Sequence, residues 1–151
     1  HKARASSYSV KCKTTLRSLG EAINMYTVDW DGYMPTANAM PSDPSLVDGT
    51  PPISEALSSY ISTKNVGPYQ CPADNGSLPR NNSYGETRPY YASEGSSYEY
   101  QIRLNGVKIT DVRQSRRSGG ESSVILMFDY DNFHGKPPKG IQFLFADGHV
   151  E

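Results

Sequence analysis

The sequence predicts an α+β fold in which a long N-terminal helix packs on an antiparallel sheet of about four strands, with a long irregular middle loop between them. Three observations lead to this prediction. Apolar residues recur at helical spacing near the N-terminus, proline and glycine interrupt the middle, and strand patterns begin after residue 96. This order of elements is typical of α+β domains. We expect one domain over residues 1–151, divided into a helix (1–31), a helix-to-sheet loop region (32–96) and a sheet with a tail (97–151).

Composition limits the classes of protein that fit this chain. A length of 151 residues suffices for one domain with a hydrophobic core, and 13 glycines with 11 prolines indicate many turns. The net charge of −1 argues against a nucleic-acid-binding protein, which needs a basic surface. No run of about 18 apolar residues occurs, so the sequence predicts no membrane span within these residues.

The long helix is predicted from an apolar stripe within Tyr8 to Trp30. Residues three and four positions apart lie on one face of a helix. The stripe consists of Leu16, Leu19, Ile23, Tyr26 and Trp30. Gly20 interrupts the helical pattern at a cost of about 1 kcal/mol relative to alanine. We expect residues 1–6 to continue the helix toward the N-terminus and Gly32 to end it in a left-handed conformation.

The middle region is predicted to be mostly irregular. Prolines recur throughout residues 35–52 and exclude a regular element there. A short helix of about two turns should follow, with Ser54 as its N-cap. Its apolar residues at helical spacing are Ile53, Leu57, Tyr60 and Ile61. Residues 68–72 are predicted to be extended because proline disfavours helical backbone before it, and residues 73–95 to form polar turns.

A β-hairpin is predicted at the start of the C-terminal third. Apolar and polar residues alternate from Tyr98 to Leu104, and Asn105-Gly106 suits the two-residue turn of a hairpin. The second strand would begin at Val107. A basic loop then follows, which we interpret as a solvated connection. Its basic residues are Arg113, Arg116 and Arg117.

A second pair of strands is predicted near the C-terminus. Residues 123–128 contain the continuous apolar run of a buried strand, and residues 141–145 are its predicted partner. Asp147-Gly148 should then form a turn. We expect His149 and Val150 to return along the edge of the sheet.

The chain contains two cysteines, Cys12 in the predicted helix and Cys71 in the middle region. Two cysteines this far apart form neither a zinc motif nor a CxxC redox pair. A disulfide would indicate an oxidising compartment, whereas two buried free thiols would not. Both alternatives are open, and the disulfide, which would attach the middle region to the helix, is the one we predict.

Acidic residues and a histidine follow the last two predicted strands. Asp129, Asp131 and His134 come after the first strand, and Asp147 comes after the second. If these side chains converge, their oxygen-rich set favours Ca²⁺. Aspartates at strand ends also cap turns by accepting hydrogen bonds from backbone amides. We therefore assign no cofactor and no metal ligand, and keep calcium as an alternative.

No catalytic motif supports an enzyme. The sequence lacks a G-x-S-x-G nucleophile elbow, a glycine-rich phosphate loop and an H-E-x-x-H motif, so we predict a non-enzymatic protein with no catalytic residues. A carbohydrate-binding module is the alternative, because several of the 11 tyrosines cluster between Tyr84 and Tyr100. We favour an interpretation in which these rings pack on the sheet and leave their hydroxyls in water.

Four short motifs occur in order along the chain. They are Cys12 ahead of Leu16, Met25 to Pro35 with its Asp-Gly turn, Cys71 to Asp74, and Phe145 to Val150. Together they resemble the motifs of type II secretion pseudopilins and related proteins with prepilin-type N-termini. One position departs from the family, because twelve residues separate His134 from Asp147, more than is usual there.

The resemblance implies a pilin-like fold and a non-enzymatic structural subunit of a type II secretion or type IV pilus-like filament. It implies that residues 1–31 are the C-terminal half of a longer helix, whose apolar N-terminal segment anchors the precursor in the inner membrane. Other pseudopilin subunits are the implied partners, and the periplasm or cell envelope is the implied location. A calcium site in the C-terminal loops is also implied. The competing hypotheses are a secreted or surface carbohydrate-binding module and, with less support, an envelope hydrolase.

Overall fold

The computed structural model describes residues 2–40, 49–61, 67–76, 88–112, 120–136 and 139–151. Within these ranges a long helix packs on a three-stranded antiparallel sheet, which agrees with the predicted α+β class. The helices are α1 (Lys2–Asp29), α2 (Ile53–Ala56) and α3 (Tyr90–Glu94). The strands are β1 (Tyr98–Tyr100), β2 (Ile125–Asp129) and β3 (Phe143–Phe145). Short 3₁₀ turns lie at Gly67–Tyr69, Ile102–Leu104, Ile109–Asp111 and Gly120–Ser123.

Helix α1 buries the apolar stripe that its sequence predicts. Three residues of this stripe are fully buried, Leu16, Leu19 and Ile23, and Tyr26 is partly buried. Cys12, one turn before Leu16, is fully buried as well. Trp30 is the exception, because α1 ends at Asp29 and the indole side chain is 58% exposed. Its ring stacks on Tyr26, with 5.4 Å between the ring centroids, instead of entering the core. The prediction that Trp30 belongs to the buried stripe is therefore wrong.

The chain leaves α1 through two residues with positive φ. Asp31 has a φ of 55° and Gly32 a φ of 84°. The backbone N–H of Gly32 donates to the carbonyl oxygen of Thr27 at 2.7 Å, which closes the last turn of the helix. The predicted left-handed exit at Gly32 is confirmed.

The beginning of α1 is exposed to solvent. Residues 3–7 are exposed, and the first fully buried side chain of the helix is Cys12. The ten residues before Cys12 span about 15 Å at the rise of an α-helix. No helix in the described part of the chain is both long and apolar enough to cross a membrane.

Strand β2 lies at the centre of the sheet and pairs in antiparallel fashion with β1 and β3. The predicted pairing of segments 123–128 and 141–145 is confirmed, although each observed strand begins two residues later. The sheet has three strands in the described residues rather than about four. In place of a fourth strand, the tail forms a single bridge between Leu144 and Val150.

The predicted hairpin around Asn105-Gly106 is wrong. Strand β1 ends at Tyr100, and residues Ile102–Leu104 form a 3₁₀ turn. The Asn105 side chain accepts a hydrogen bond from the Ala37 N–H and donates one to the Ala37 carbonyl oxygen, both at 3.0 Å. These bonds attach the turn to the segment that follows α1, so a tertiary contact overrides the local hairpin signal.

Helix α2 is shorter than predicted. Only Ile53–Ala56 is α-helical, and its N-cap is Pro52, so the prediction of Ser54 as the cap is wrong. The chain then continues in turns, and the Ile61 N–H donates to the Leu57 carbonyl oxygen at 3.0 Å. The segment therefore keeps a helix-like path beyond its single α-helical turn.

Gly20 allows α1 to approach β3 closely. A Cβ atom at this position would lie 3.0 Å from Cδ1 and 3.4 Å from Cδ2 of Leu144, which is completely buried. Such separations are tighter than ordinary van der Waals contact. The glycine that weakens the helical pattern in the sequence thus lets the helix pack closely on the sheet.

The turn predicted at Asp147-Gly148 is confirmed. Gly148 has a φ of 92°, and its N–H donates to the Phe145 carbonyl oxygen at 2.9 Å. The Phe145 N–H in turn donates to the His149 carbonyl oxygen at 2.9 Å. The tail therefore folds back along β3 as expected.

We expect Gly148→Ala to lower the free energy of unfolding by about 1–2 kcal/mol, because a Cβ atom disfavours positive φ. The new Cβ would meet no described atom within 4 Å, so the loss is conformational rather than steric. Urea denaturation measures the change. Gly148→Asn is the matched control, since asparagine tolerates positive φ better than alanine. Equal losses in the two variants would contradict the explanation.

Candidate functional site

A disulfide joins α1 to the middle region of the chain. Cys12 and Cys71 form this bond, and both are fully buried. The Cys71 N–H donates to the hydroxyl oxygen of Ser97, just before β1, at 3.0 Å. Gly67–Tyr69 forms a 3₁₀ turn ahead of it, so the extended backbone predicted for residues 68–72 is wrong at its beginning. The disulfide thus connects the helix to the start of the sheet.

His134 packs against this disulfide. Its Nε2 atom lies 3.5 Å from the Cys71 Sγ atom and 3.3 Å from the Asp129 Oδ2 atom. The His134 backbone N–H donates to the Gly140 carbonyl oxygen at 3.0 Å, which fixes the loop that carries the ring. The side chain is only 7% exposed. The imidazole therefore lies between a carboxylate and a disulfide, largely shielded from water.

Asp129 ends β2 with its carboxyl group completely buried. Its Oδ2 atom accepts a hydrogen bond from the Gln142 N–H at 2.8 Å, whereas Oδ1 has no hydrogen-bond partner among the described residues. Burial raises the pKa of this carboxyl group, and the contacts with His134 and Gln142 offset only part of that increase. A buried carboxyl group with one unpartnered oxygen is costly to keep in a protein core.

This raised pKa predicts a pH dependence of stability. A carboxyl group whose pKa is raised on folding contributes to the free energy of unfolding at pH values below its ordinary pKa of 3.8. This contribution is lost as the pH rises through the pKa of the folded state. We therefore expect Asp129→Asn to gain stability relative to the unsubstituted protein as the pH rises above about 4. His134 and Asp74 are the titratable groups that act on Asp129. Urea denaturation at a series of pH values measures the difference, and a constant difference would contradict the prediction.

The four side chains considered as an alternative calcium site do not form one group. Strands β2 and β3 are antiparallel, so residues that follow them lie at opposite ends of the sheet. Asp129 and His134 are at one end, whereas Asp147 is in the turn after β3 at the other. Asp131 accepts a hydrogen bond from the Tyr90 hydroxyl at 2.9 Å. The predicted convergence is wrong because it treated the ends of antiparallel neighbours as if the strands were parallel.

A different group of potential ligands occurs at the disulfide. Within the described ranges, Cys12, Cys71 and His134 bring their ligand atoms within 4.8 Å of one another. As long as the two sulfur atoms are bonded to each other they are not thiolates, which are the form of cysteine that binds metals. No local motif connects a histidine to a cysteine 63 positions away, so this group could not be predicted from the sequence.

Asp74 is a second buried carboxyl group near the disulfide. Its oxygens accept hydrogen bonds from the N–H groups of Tyr90 and Tyr91, each at 3.0 Å, and from the Ser97 hydroxyl at 2.8 Å. The first two bonds satisfy free amides at the start of α3, whose N-cap Pro89 has no side-chain hydrogen bond to offer. Capping motifs consist of residues next to the start of a helix. Asp74 lies 16 positions before Tyr90, so its capping role could not be predicted from the sequence.

The tyrosine cluster is not an exposed platform. Tyr98 and Tyr100 are fully buried, and burial raises the pKa of both hydroxyls. The Tyr100 hydroxyl donates to the Pro35 carbonyl oxygen at 2.7 Å. The expectation that these hydroxyls face water is therefore wrong. Tyr84, the first member of the cluster, lies outside the described residues.

The solvent-facing side of α1 carries exposed apolar side chains. Val10 is 61% exposed and Val28 is 75% exposed. They are eighteen positions apart, or about five helical turns, so they lie on the same face of α1, opposite the buried stripe. A groove of about 460 Å³ lies between the N-terminal half of α1, at Val10 and Thr14, and the segment that contains Pro72.

Two features therefore carry the functional argument: the shielded group around the disulfide and the exposed face of α1. The basic loop at Arg113, Arg116 and Arg117 lies outside the described residues.

No protein-family model matches the chain, and no curated protein or solved structure is significantly similar to it.

Proposed function

We propose that this chain is a pseudopilin, a non-enzymatic structural subunit of a type II secretion or type IV pilus-like filament. In this proposal the subunit assembles through its N-terminal helix with other pseudopilin subunits. The full-length precursor is anchored in the inner membrane, and the domain described above lies in the periplasm or cell envelope. The fold would then be pilin-like. The ordered motifs at Cys12, Met25 to Pro35, Cys71 to Asp74 and Phe145 to Val150 support this proposal.

The observation that carries the proposal is the exposed beginning of α1. Residues 3–7 are exposed, and no side chain before Cys12 is fully buried among those described. These residues extend α1 beyond the part of the helix that packs on the sheet, so another surface can pack against them. The helices of neighbouring subunits in a filament would provide such a surface. Val10 and Val28 on the solvent-facing side are apolar side chains available for this contact.

The disulfide supports the proposed location. Disulfides persist in the periplasm and outside the cell, whereas cytosolic reductants break most of them. A bond between Cys12 and Cys71 also keeps α1 attached to the globular part when the exposed end of the helix is pulled. Such attachment suits a subunit that transmits force along a filament.

The carbohydrate-binding alternative receives less support from the structure. Sugar rings stack on exposed aromatic faces, and Tyr98 and Tyr100 are completely buried. Trp30 and Tyr33 are exposed aromatic side chains. They lie at the end of α1, outside the tyrosine cluster on which that hypothesis rested.

The first test reads the gene upstream of the codon for His1. The proposal expects a short basic leader, a cleavage site and about 20 apolar residues continuous with α1. The full-length protein, produced in a bacterium that has a prepilin peptidase, should then be processed and form filaments visible by negative-stain electron microscopy. A cleavable secretory signal without a retained apolar helix would overturn the proposal.

A pair of variants tests the role of α1 directly. Val10→Glu places a charge on the exposed face of the helix and should abolish filaments without changing the melting temperature of the domain. Thr110→Glu is the matched control, since Thr110 is exposed and belongs to a 3₁₀ turn outside α1. Filaments of Val10→Glu as abundant as those of Thr110→Glu would contradict assembly through this face.

A further inference from the structure

The disulfide, the His134 imidazole and the Asp129 carboxyl group form one continuous buried cluster. The His134 Nε2 atom lies 3.3 Å from Asp129 Oδ2 and 3.5 Å from Cys71 Sγ. Cys12 Sγ completes a set of three ligand atoms that all lie within 4.8 Å of one another. Two sulfurs, one imidazole nitrogen and one carboxylate oxygen are four donors of the types that bind zinc.

We propose that reduction of the Cys12–Cys71 disulfide converts this cluster into a binding site for Zn²⁺, with Cys12, Cys71, His134 and Asp129 as ligands. Nothing in the proposed filament function requires this site, and the two proposals stand independently. The site differs from the carboxylate cluster considered from the sequence, because it includes both sulfurs and neither Asp131 nor Asp147.

The distances around His134 fit a tetrahedral site. Zinc binds nitrogen and carboxylate oxygen at roughly 2.1 Å and thiolate sulfur at about 2.3 Å. Tetrahedral angles then separate a nitrogen from an oxygen by about 3.4 Å and a nitrogen from a sulfur by about 3.6 Å. The observed separations of 3.3 Å and 3.5 Å agree with these values. The His134 nitrogen therefore already has the required spacing from one sulfur, Cys71 Sγ, and from the Asp129 carboxylate oxygen.

Asp129 provides an independent indication of a cation. Its side chain is completely buried, and its Oδ1 atom has no hydrogen-bond partner among the described residues. Buried carboxylates are retained where they are paired or bind metals. A cation between Asp129 and the sulfurs would neutralise the negative charge of the Asp129 carboxylate more fully than the contact with His134 does.

The chemistry of the conversion is balanced. A dithiol reductant transfers two electrons and two protons to the Cys12–Cys71 bond and itself becomes a disulfide. Zn²⁺ then replaces the two thiol protons, which are released to solvent, and binds the lone pair of Nε2 on neutral His134. The two sulfurs must separate to about 3.8 Å, the spacing of two thiolates in a tetrahedral zinc site. Cys71 lies outside the helices and strands, so its segment can provide this movement.

The zinc site would be a second connection between α1 and the start of the sheet, in addition to the disulfide. In an oxidising compartment the disulfide makes this connection, and under reducing conditions the metal would make it through the same two cysteines. A structural zinc site contributes directly to folding stability because the ligands converge only in the folded chain.

Cobalt and zinc titrations test the proposal. The protein is reduced with a phosphine, which water converts to a phosphine oxide as two thiols form, and is then handled without oxygen. We expect the reduced protein to bind one equivalent of Co²⁺ with the visible absorption of a tetrahedral thiolate site, and Zn²⁺ to displace it. Circular dichroism with and without Zn²⁺ measures folding of the same samples, and Zn²⁺ should raise the melting temperature of the reduced protein.

Substitutions distinguish this site from zinc held by thiols alone. Loss of partners that merely orient zinc ligands already weakens binding about 10–100-fold, so His134→Gln should weaken Zn²⁺ binding by at least about 10-fold. Asp129→Asn should weaken it as well. His149→Gln changes a histidine in the tail and is the matched control, which should bind as the unsubstituted protein does. Competition with a chromophoric chelator gives the affinities.

Three results would overturn the proposal. The reduced protein could bind no Zn²⁺, or His134→Gln and Asp129→Asn could both bind as tightly as His149→Gln. The oxidised protein could also bind Zn²⁺ as tightly as the reduced protein. If His134→Gln fails to fold without metal, Asp129→Asn, which preserves the shape of the side chain, decides between the outcomes.

Discussion

Replacement of Cys12 and Cys71 by alanine is expected to lower the free energy of unfolding by about 4 kcal/mol. The disulfide links residues 59 positions apart, and loop-closure entropy predicts a stabilisation of this size for such a loop. Both sulfurs are completely buried, so alanine avoids the additional cost of burying a serine hydroxyl. For a domain of this length the melting temperature should fall by roughly 8–16 °C.

The unsubstituted protein in its reduced, metal-free form is the control for the disulfide prediction, because it keeps the sulfur atoms in the core. It should lose nearly as much stability as the double alanine variant. Thiol titration of the denatured, unreduced protein should find no reactive thiol. Two reactive thiols per chain, or a loss below about 1 kcal/mol, would refute the structural role assigned to the bond.

The second large effect is expected at the contact between α1 and β3. Gly20→Leu should destabilise the protein by about 3 kcal/mol, because even the first carbon of the new side chain would lie 3.0 Å from Leu144 Cδ1. Leu144→Ala should cost about 2–5 kcal/mol by removing a completely buried side chain. Gly20→Ala is the milder control. Its gain in helix propensity of about 1 kcal/mol opposes the crowding, so the net change should be small.

The double variant separates crowding from a general defect in the helix. If Gly20→Leu acts by overfilling the space beside Leu144, the shorter alanine at position 144 should relieve it. The double variant should then be more stable than the sum of the two single losses predicts, by at least about 1 kcal/mol. Additive losses would contradict the packing explanation. Denaturant unfolding of all four proteins completes the cycle.

The elements that the sequence predicts correctly are those defined by local periodicity. Leu16, Leu19 and Ile23 share one helical face, and the helix stripe follows from that spacing alone. The apolar run of β2 predicts a buried strand in the same local way, and the turn at Gly148 follows from its residue type. Local sequence was sufficient for these elements because their geometry repeats over a few residues.

The errors in the fold arise where a distant contact decides the local structure. Asn105-Gly106 is a strong hairpin signal, yet hydrogen bonds to Ala37 give the Asn105 side chain a different partner. Trp30 continues the helical spacing, but the chain turns at Asp31 before the indole can reach the core. The partner of Asn105 is thus 68 positions away in the sequence, whereas the error at Trp30 comes from the end of the helix itself.

The candidate site was harder to predict than the fold, because its residues come from separate segments. His134 meets Cys71 across 63 positions, and Asp74 reaches the start of α3 across 16. The sequence grouped Asp129 with Asp147 because both follow strands. The antiparallel pairing of β2 and β3 separates them, because the ends of antiparallel neighbours lie at opposite edges of the sheet.

The bridge between the tail and β3 bears on how copies of this chain can associate. Phe143 and Glu151 exchange two backbone hydrogen bonds, of 2.8 Å and 3.0 Å, along the outer side of β3. On the outer side of β1, the Tyr100 N–H donates to the Ala39 carbonyl oxygen at 3.3 Å. Unpaired backbone groups on outer strands are templates for uncontrolled strand addition and amyloid-like aggregation. By occupying these groups, the chain favours ordered contacts between side-chain surfaces over continuous intermolecular β-sheet, even where many copies are crowded together.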